Sequence, residues 1–148
     1  MDEQVLYRET FAIRGGDFEH GGSVAAQVKA ILKQFGYPPE IVRRMSIANF
    51  EAEMNLVMYA EDGELELVIT SDAIRVRVSD HGQGIPDVEW AMQEGNSTAT
   101  PEMRARGFGA GLGLPNIKRN SDTFAIASTV GVGTRLDYTV LTPHAAGA

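Results

Sequence analysis

The sequence contains no cysteine, which excludes disulfides, zinc–thiolate sites and thiol catalysis. It has no apolar run near the roughly 20 residues that a membrane helix needs. Its start, MDEQVLYRET, is acidic and lacks the apolar core of a signal peptide. These absences favour a cytoplasmic protein without a membrane segment.

Positive charge is also scarce. Thirteen lysines and arginines stand against 20 aspartates and glutamates, which gives a net charge of −7. A general nucleic-acid-binding protein would need a basic face, so nucleic acid is not an expected partner. A phosphate ligand is still allowed, because a few local donors can outweigh the overall field.

The length is that of one domain. A chain of 148 residues with 43% hydrophobic side chains can bury one core but not comfortably two. We therefore predict a single domain over residues 1–142 and a disordered tail over 143–148.

The spacing of apolar residues predicts an α+β order of elements. Strands are predicted over residues 4–13, 64–70, 73–80, 123–129 and 134–142. Helices are predicted over residues 23–35, 39–60, 87–94 and 112–121. Ser23 is expected to cap the first helix, Pro39 to begin the second, and Asp62-Gly63 to form a hairpin-type turn. The expected fold is an α+β two-layer sandwich, with a mixed, mostly antiparallel sheet covered on one face by helices.

The stretch SDHGQGIP places Asp80 at a strand end, directly before Gly82 and Gly84. Glycines let a backbone approach a ligand closely, and the carboxylate can accept a hydrogen bond, for instance from an exocyclic amine. The alternative is a strand-terminating Asx-turn, with Pro86 starting a helix.

The predicted second helix contains NFEAEMNLVMYA, in which Glu51, Asn55 and Tyr59 share one face at i, i+4 and i+8. An amide oxygen can ligate Mg²⁺, and a carboxylate one turn away can accept a proton from a nucleophilic hydroxyl. The alternative is a solvated helix face that exposes both Glu51 and Glu53.

The segment RARGFGAGLGLPNIKRN alternates glycines with other residues and leads into a predicted helix. Backbone N–H groups at such a helix start bind phosphates well, and Arg104 and Arg106 could reach phosphate oxygens. The segment is neither a Walker A loop nor a dinucleotide fingerprint. A flexible linker with two surface arginines is the alternative.

The turn GVGT joins the last two predicted strands and ends at Thr134. It is typical of a hairpin turn. A threonine hydroxyl after two glycines could also serve a ligand.

Taken in order, these motifs resemble the GHKL (Bergerat-fold) ATP-binding superfamily. Its pattern is E-x-x-x-N in a helix, D-x-G-x-G after a strand, a Gly-rich lid with a helix start, and a late G-T. Within it, the chain is most similar to the anti-sigma regulatory serine/threonine kinases, in particular the RsbT-like switch kinases. The segments GIPDVEWAMQEGNSTA, GLGLPNIKRNSDTFAI and VGVGTRLDYTV carry that similarity.

The resemblance implies a role for each matching residue. Asp80 would accept from the adenine amino group, with Thr134 helping to fix the hydrogen bonds on that side. Asn55 would ligate Mg²⁺, and Glu51 would be the general base on a protein serine or threonine. The remaining nucleotide-binding positions would be Tyr59, Gly82, Gly84, Arg104, Arg106, Gly109, Gly111, Leu112 and Gly113. Tyr59 departs from the pattern, because many relatives have histidine there.

The resemblance also implies a function. The chain would use ATP and Mg²⁺ to phosphorylate an anti-sigma-factor antagonist of the STAS type, and would switch partners in a sigma-factor or stress-signalling module. A sigma factor, a PP2C-type phosphatase and a second copy of the chain are the other expected partners. A non-catalytic ATP-binding module and a detached histidine-kinase catalytic domain are the alternatives. Residues 95–110 are expected to form a mobile lid.

Overall fold

A computed structural model describes residues 3–82, 84–85, 87–93 and 113–142. The strands are β1 (Val5–Arg14), β2 (Ala60–Thr70), β3 (Ala73–Gly82), β4 (Thr123–Thr129) and β5 (Gly133–Leu141). The α-helices are α1 (Ser23–Gln34), α2 (Pro39–Tyr59), α3 (Val88–Ala91) and α4 (Gly113–Arg119), and Phe18–His20 forms a 3₁₀ turn. In the part of the chain that is described, no helix is both long and apolar enough to cross a membrane. The expected lid and tail lie outside the described residues.

The five strands form one sheet in the order β1-β2-β3-β5-β4. Each of these four pairings is antiparallel, with Leu67 opposite Val76 and Val76 opposite Tyr138 in the centre. Alternation along the strands places apolar side chains on one face. The predicted α+β sandwich is confirmed, and every described pairing in its sheet is antiparallel.

Helices α1, α2 and α4 cover the apolar face of the sheet. The fully buried side chains between these layers include Leu32, Met45, Leu56, Leu65, Leu67, Ile69, Ile74, Ile117 and Tyr138. On the opposite face, ion pairs join neighbouring strands, as in Arg8–Glu66 (3.3 Å) and Arg77–Asp137 (2.7 Å). The open face is therefore polar, and the core lies on the helical side only.

The predicted turn at Asp62-Gly63 is wrong, because both residues lie inside β2. Gly63 pairs with Ile13 on one side and with Asp80 on the other. A Cβ atom on Gly63 would lie 2.2 Å from a backbone oxygen of Ser79 and 2.6 Å from the side chain of Leu56. This glycine allows helix α2 to pack closely on the sheet, and the chain turns between β2 and β3 at residues 71–72.

The predicted cap at Ser23 is also wrong. Gly22 is the N-cap of α1, and Ser23 is the first helical residue. The carboxylate of Glu53, from α2, accepts hydrogen bonds from the backbone N–H groups of Gly22 (2.9 Å), Val24 (3.3 Å) and Ala25 (2.8 Å). A negative charge at a helix N-terminus satisfies the free N–H groups there, so α1 is capped by a residue distant in sequence.

Helix α3 is shorter than predicted. Asp87 caps it by accepting from the N–H of Trp90 at 2.9 Å, and the helix ends at Ala91 instead of residue 94. Helix α2 agrees closely with its prediction and passes into β2 with no intervening loop.

Candidate functional site

Asp80 lies near the end of β3, two residues before the strand ends at Gly82. Its Oδ1 atom accepts a hydrogen bond from the N–H of Thr134 at 3.1 Å. Burial raises the pKa of the Asp80 carboxyl, and the Thr134 N–H offsets part of that rise. The other carboxylate oxygen has no hydrogen-bond partner among the described residues, so it can accept from a ligand.

Two glycines let backbone segments pack closely around the end of β3 and the turn between β4 and β5. A Cβ atom on Gly133 would lie 2.0 Å from the backbone oxygen of Asp80. Gly84 has a φ of +77°, and a Cβ atom there would lie 2.5 Å from the backbone oxygen of Thr129. A side chain at either position would push the turn between β4 and β5 away from Asp80.

Ser128 joins this region, although the sequence reasoning did not single it out. Its Oγ atom accepts from the N–H of Ile85 at 2.6 Å and lies 3.0 Å from Oγ1 of Thr134. Ser128 thus ties the segment after β3 to Thr134. Ser128 could be found only from the strand register, because it lies opposite Thr134 in the β4–β5 pairing.

Glu51 lies on α2 and is half-buried, and its carboxylate has no hydrogen-bond or ion-pair partner in the described parts of the chain. Burial raises the pKa of its carboxyl. A Cβ atom on Gly113, the first residue of α4, would lie 3.2 Å from Oε2 of Glu51. The carboxylate therefore faces the helix start that the Gly-rich segment precedes.

Asn55 and Tyr59 follow Glu51 on the same helix at intervals of four residues, or about 6 Å each along the axis. Tyr59 ends α2, and its backbone oxygen would lie 3.1 Å from a Cβ atom on Gly82. This face of α2 therefore runs from the start of α4 to the end of β3. The structure brings the predicted Glu51, Asn55, Tyr59 and Gly82 together along it.

The amide of Asn55 suits Mg²⁺ as a single protein ligand. Asn55 is partly exposed, and its side chain forms no hydrogen bond with other described residues. The described residues contain no group of three or more acidic or histidine side chains that could hold a metal by themselves. An ion held mainly by phosphate oxygens and water, with one amide oxygen, fits this donor set.

The solvated-face alternative for α2 is wrong for Glu53. Glu53 is only 2% exposed, and its carboxylate caps α1. Of the two neighbouring acids, only Glu51 faces the candidate site. Arg104, Arg106, Gly109, Gly111 and Leu112 lie outside the described residues, and their roles stay predictions.

The chain is similar to known proteins over most of its length. The chain matches the family described as Histidine kinase-like ATPase domain over residues 17–140. It is 30% identical over 110 residues to the serine/threonine-protein kinase RsbT of Bacillus subtilis, covering 72% of this chain and 77% of that protein. It is also 30% identical over 117 residues to an anti-sigma F factor of Caldanaerobacter subterraneus subsp. tengcongensis, covering 76% and 78%.

A second anti-sigma F factor, from a Thermoanaerobacter species, is 28% identical over 117 residues, with 76% of this chain and 78% of that protein covered. The family match includes every described site residue, from Glu51 to Thr134. Each alignment covers more than two thirds of both proteins. The chain therefore belongs to the histidine kinase-like ATPase family, which has the GHKL ATP-binding fold.

Proposed function

We propose that this chain is an ATP-dependent serine/threonine kinase that phosphorylates a STAS-type antagonist protein and switches partners in a sigma-factor module. The names of its relatives, a serine/threonine-protein kinase and anti-sigma F factors, support that direction. The match to the histidine kinase-like ATPase family shows the more general statement, that the chain is a kinase-like ATPase family member.

Asp80 and Thr134 would hold the adenine. The free oxygen of Asp80 would accept from the exocyclic amino group, while its other oxygen stays fixed by the N–H of Thr134. The bond between the Ser128 and Thr134 hydroxyls restricts how both can rotate. The base would thus meet a carboxylate that is already oriented, and less ordering would be needed on binding.

Glu51 would act as the general base. The hydroxyl oxygen of the acceptor would form a bond to the γ-phosphorus while the bond to the ADP oxygen breaks, and the hydroxyl proton would pass to Glu51. Burial raises the pKa of this carboxyl, which makes it a stronger base than an exposed glutamate. Asn55 would hold Mg²⁺, which neutralises charge on the phosphates when bound.

The observation that carries the proposal is the environment of the Glu51 carboxylate. It is a half-buried carboxylate without a partner among the described residues, at the start of α4 and one turn from Asn55. Glu53, the neighbouring acid with a structural role, is instead satisfied by three backbone N–H groups. An unpaired acid facing a helix start is instead suited to accept a proton.

The test is transfer of radiolabelled γ-phosphate from ATP to purified STAS-domain proteins. We expect an acid-stable phosphoester on serine or threonine of at least one STAS protein. ATP binding without any transfer would support the non-catalytic partner-switching module instead. An acid-labile phosphohistidine product would support a detached histidine-kinase catalytic domain.

A further inference from the structure

A groove of about 610 Å³ lies between α1 and α2, on the side of these helices that leads to Glu51. Its lining includes Lys29, Lys33, Arg43, Ile47, Phe50 and Glu51. We call it the basic groove. Of the nucleotide-site residues that the structure describes, Glu51 alone belongs to its lining, so the described part of the groove meets the candidate site at one residue.

The charge of the basic groove is opposite to that of the whole chain. Lys29, Lys33 and Arg43 are exposed, and none of them forms an ion pair with the described residues. The chain as a whole carries a net charge of −7. Three unpaired cations in one groove of an acidic protein would attract an acidic partner and orient it on approach.

The groove also offers an apolar anchor position. Phe50 is 40% exposed, and its inner edge packs on the turn before α1, where a Cβ atom on Gly22 would lie 3.0 Å from the ring. Ile47 lies one turn before Glu51 on the same helix. Aromatic side chains are enriched at the buried centre of protein interfaces, while charged groups lie more often at the rim.

Ser46 adds a polar group to the lining. Its Oγ atom is buried and has no hydrogen-bond partner in the described part of the chain. A buried polar group that stays unpaired lowers stability. If this hydroxyl turned toward the groove, the backbone of a docked segment would supply the hydrogen-bond partner that Ser46 lacks among the described residues.

We propose that the basic groove docks the phospho-acceptor protein through a segment in which acidic residues flank an apolar side chain. This inference rests on the proposed kinase function, because the residue that would take the acceptor proton, Glu51, is part of the groove lining. Acidic side chains would pair with Lys29 and Lys33, and the apolar one would cover Phe50. The acceptor hydroxyl would then be held beside Glu51.

The test compares a double variant in the groove with a matched control. Lys29→Glu with Lys33→Glu reverses two groove charges, and Arg8→Glu with Arg14→Glu makes the same charge change at exposed positions of β1. Phosphate transfer to the STAS protein and binding of that protein are both measured at saturating MgATP. ATP affinity is measured separately for each variant.

We expect the groove variant to raise KM and Kd for the STAS protein by about tenfold or more, with kcat and ATP affinity unchanged. The control variant should behave as the wild type. Raising the salt concentration should weaken wild-type docking and bring it towards that of the groove variant. Together these results would support the acidic docking segment.

Equal KM and Kd for wild type and groove variant would overturn the docking proposal and leave the kinase function intact. Wild-type binding without transfer would overturn the kinase function, while the Kd values would still decide the docking surface. If the groove variant changes only the self-association of the chain, measured by sedimentation, the groove holds a second copy and the proposal is wrong.

Discussion

Glu51 and Glu53 are separated by one residue on α2, and they lie in opposite environments. Glu53 is 2% exposed and accepts three backbone hydrogen bonds at the N-terminus of α1. Glu51 is half-buried, has no partner among the described residues, and faces Gly113. The same side chain therefore serves packing on one side of the helix and is available for chemistry on the other.

The difference arises from helix geometry. Two residues along an α-helix differ by about 200° around the axis, so Glu51 and Glu53 point to nearly opposite sides of α2. One side packs against α1, and the other is opposite α4. Identical substitutions at both positions should therefore separate an effect on activity from an effect on stability.

The largest expected effect is on phosphate transfer. Glu51→Gln removes the proton acceptor but keeps the size and polarity of the side chain. Because general base catalysis typically contributes about 10²–10⁴-fold, transfer to the STAS protein should fall by that factor while ATP affinity is retained. Single-turnover transfer rates would measure this.

The control for that loss is Glu53→Gln, assayed below its unfolding temperature. Its transfer rate should stay close to that of the wild type. If Glu53→Gln lost as much activity as Glu51→Gln, the division of roles between the two acids would be wrong.

The next effect is on stability. Glu53→Gln replaces a carboxylate with an amide whose NH₂ group cannot accept from the N–H groups at the start of α1. The free energy of unfolding should fall by about 1.5–3 kcal/mol, the range for hydrogen bonds to a charged group. Urea unfolding followed by circular dichroism would measure it, and an unchanged midpoint would contradict the buried cap.

The fold was largely predictable from the sequence because it depends on local periodicity. The apolar spacing of α2 and the alternation in β2 and β3 follow from 3.6- and 2-residue repeats. Asp80 and the E-x-x-x-N face could be identified because their spacing is local too. Of the two acids, the i, i+4 relation to Asn55 selected Glu51.

The tertiary contacts could not be predicted in this way. The partners of Glu53 lie about 30 residues earlier in the chain, and nothing in the sequence AEM signals burial of this acid. Gly63 is required by the packing of Leu56 on the strand, whereas Asp-Gly alone is typical of a turn. Ser128 depends on strand register, which local patterns leave open.

A third prediction concerns pH. Burial raises the pKa of Glu51 in the folded chain, so the base loses its proton at higher pH than an exposed glutamate would. The transfer rate should therefore fall as pH is lowered through this raised pKa. Glu51→Gln should lack that dependence, and pH–rate profiles of the two proteins would reveal it.

The raised pKa of Glu51 also makes the free energy of unfolding depend on pH. The transfer rate increases as pH rises, whereas stability decreases. Above the pKa of an exposed glutamate, the unfolded chain loses this proton first, so wild-type stability decreases as pH rises towards the folded-state pKa. Glu51→Gln should therefore be slightly more stable than the wild type at neutral pH, by less than about 1 kcal/mol because the group is half-exposed. Urea midpoints at acidic and neutral pH would measure the difference.

The smallest expected effect follows from Gly113→Ala. The new methyl group would lie 3.2 Å from Oε2 of Glu51 and would displace the carboxylate by a few tenths of an ångström. We expect a several-fold lower transfer rate with little change in stability, because Gly113 is the first residue of α4 and the preference for alanine over glycine belongs to helix interiors. A rate equal to the wild type would show that the position of Glu51 tolerates such a shift.

The central claim is that this family member holds ATP in a site whose base-binding end is Asp80. Calorimetric titration of the wild type and of Asp80→Asn with MgATP and ADP tests it most directly. We expect the wild type to bind both nucleotides and the variant to bind them at least about tenfold more weakly, since a buried hydrogen bond to a charged group is lost. Equal binding by both proteins, or no binding by the wild type at millimolar nucleotide, would contradict the account.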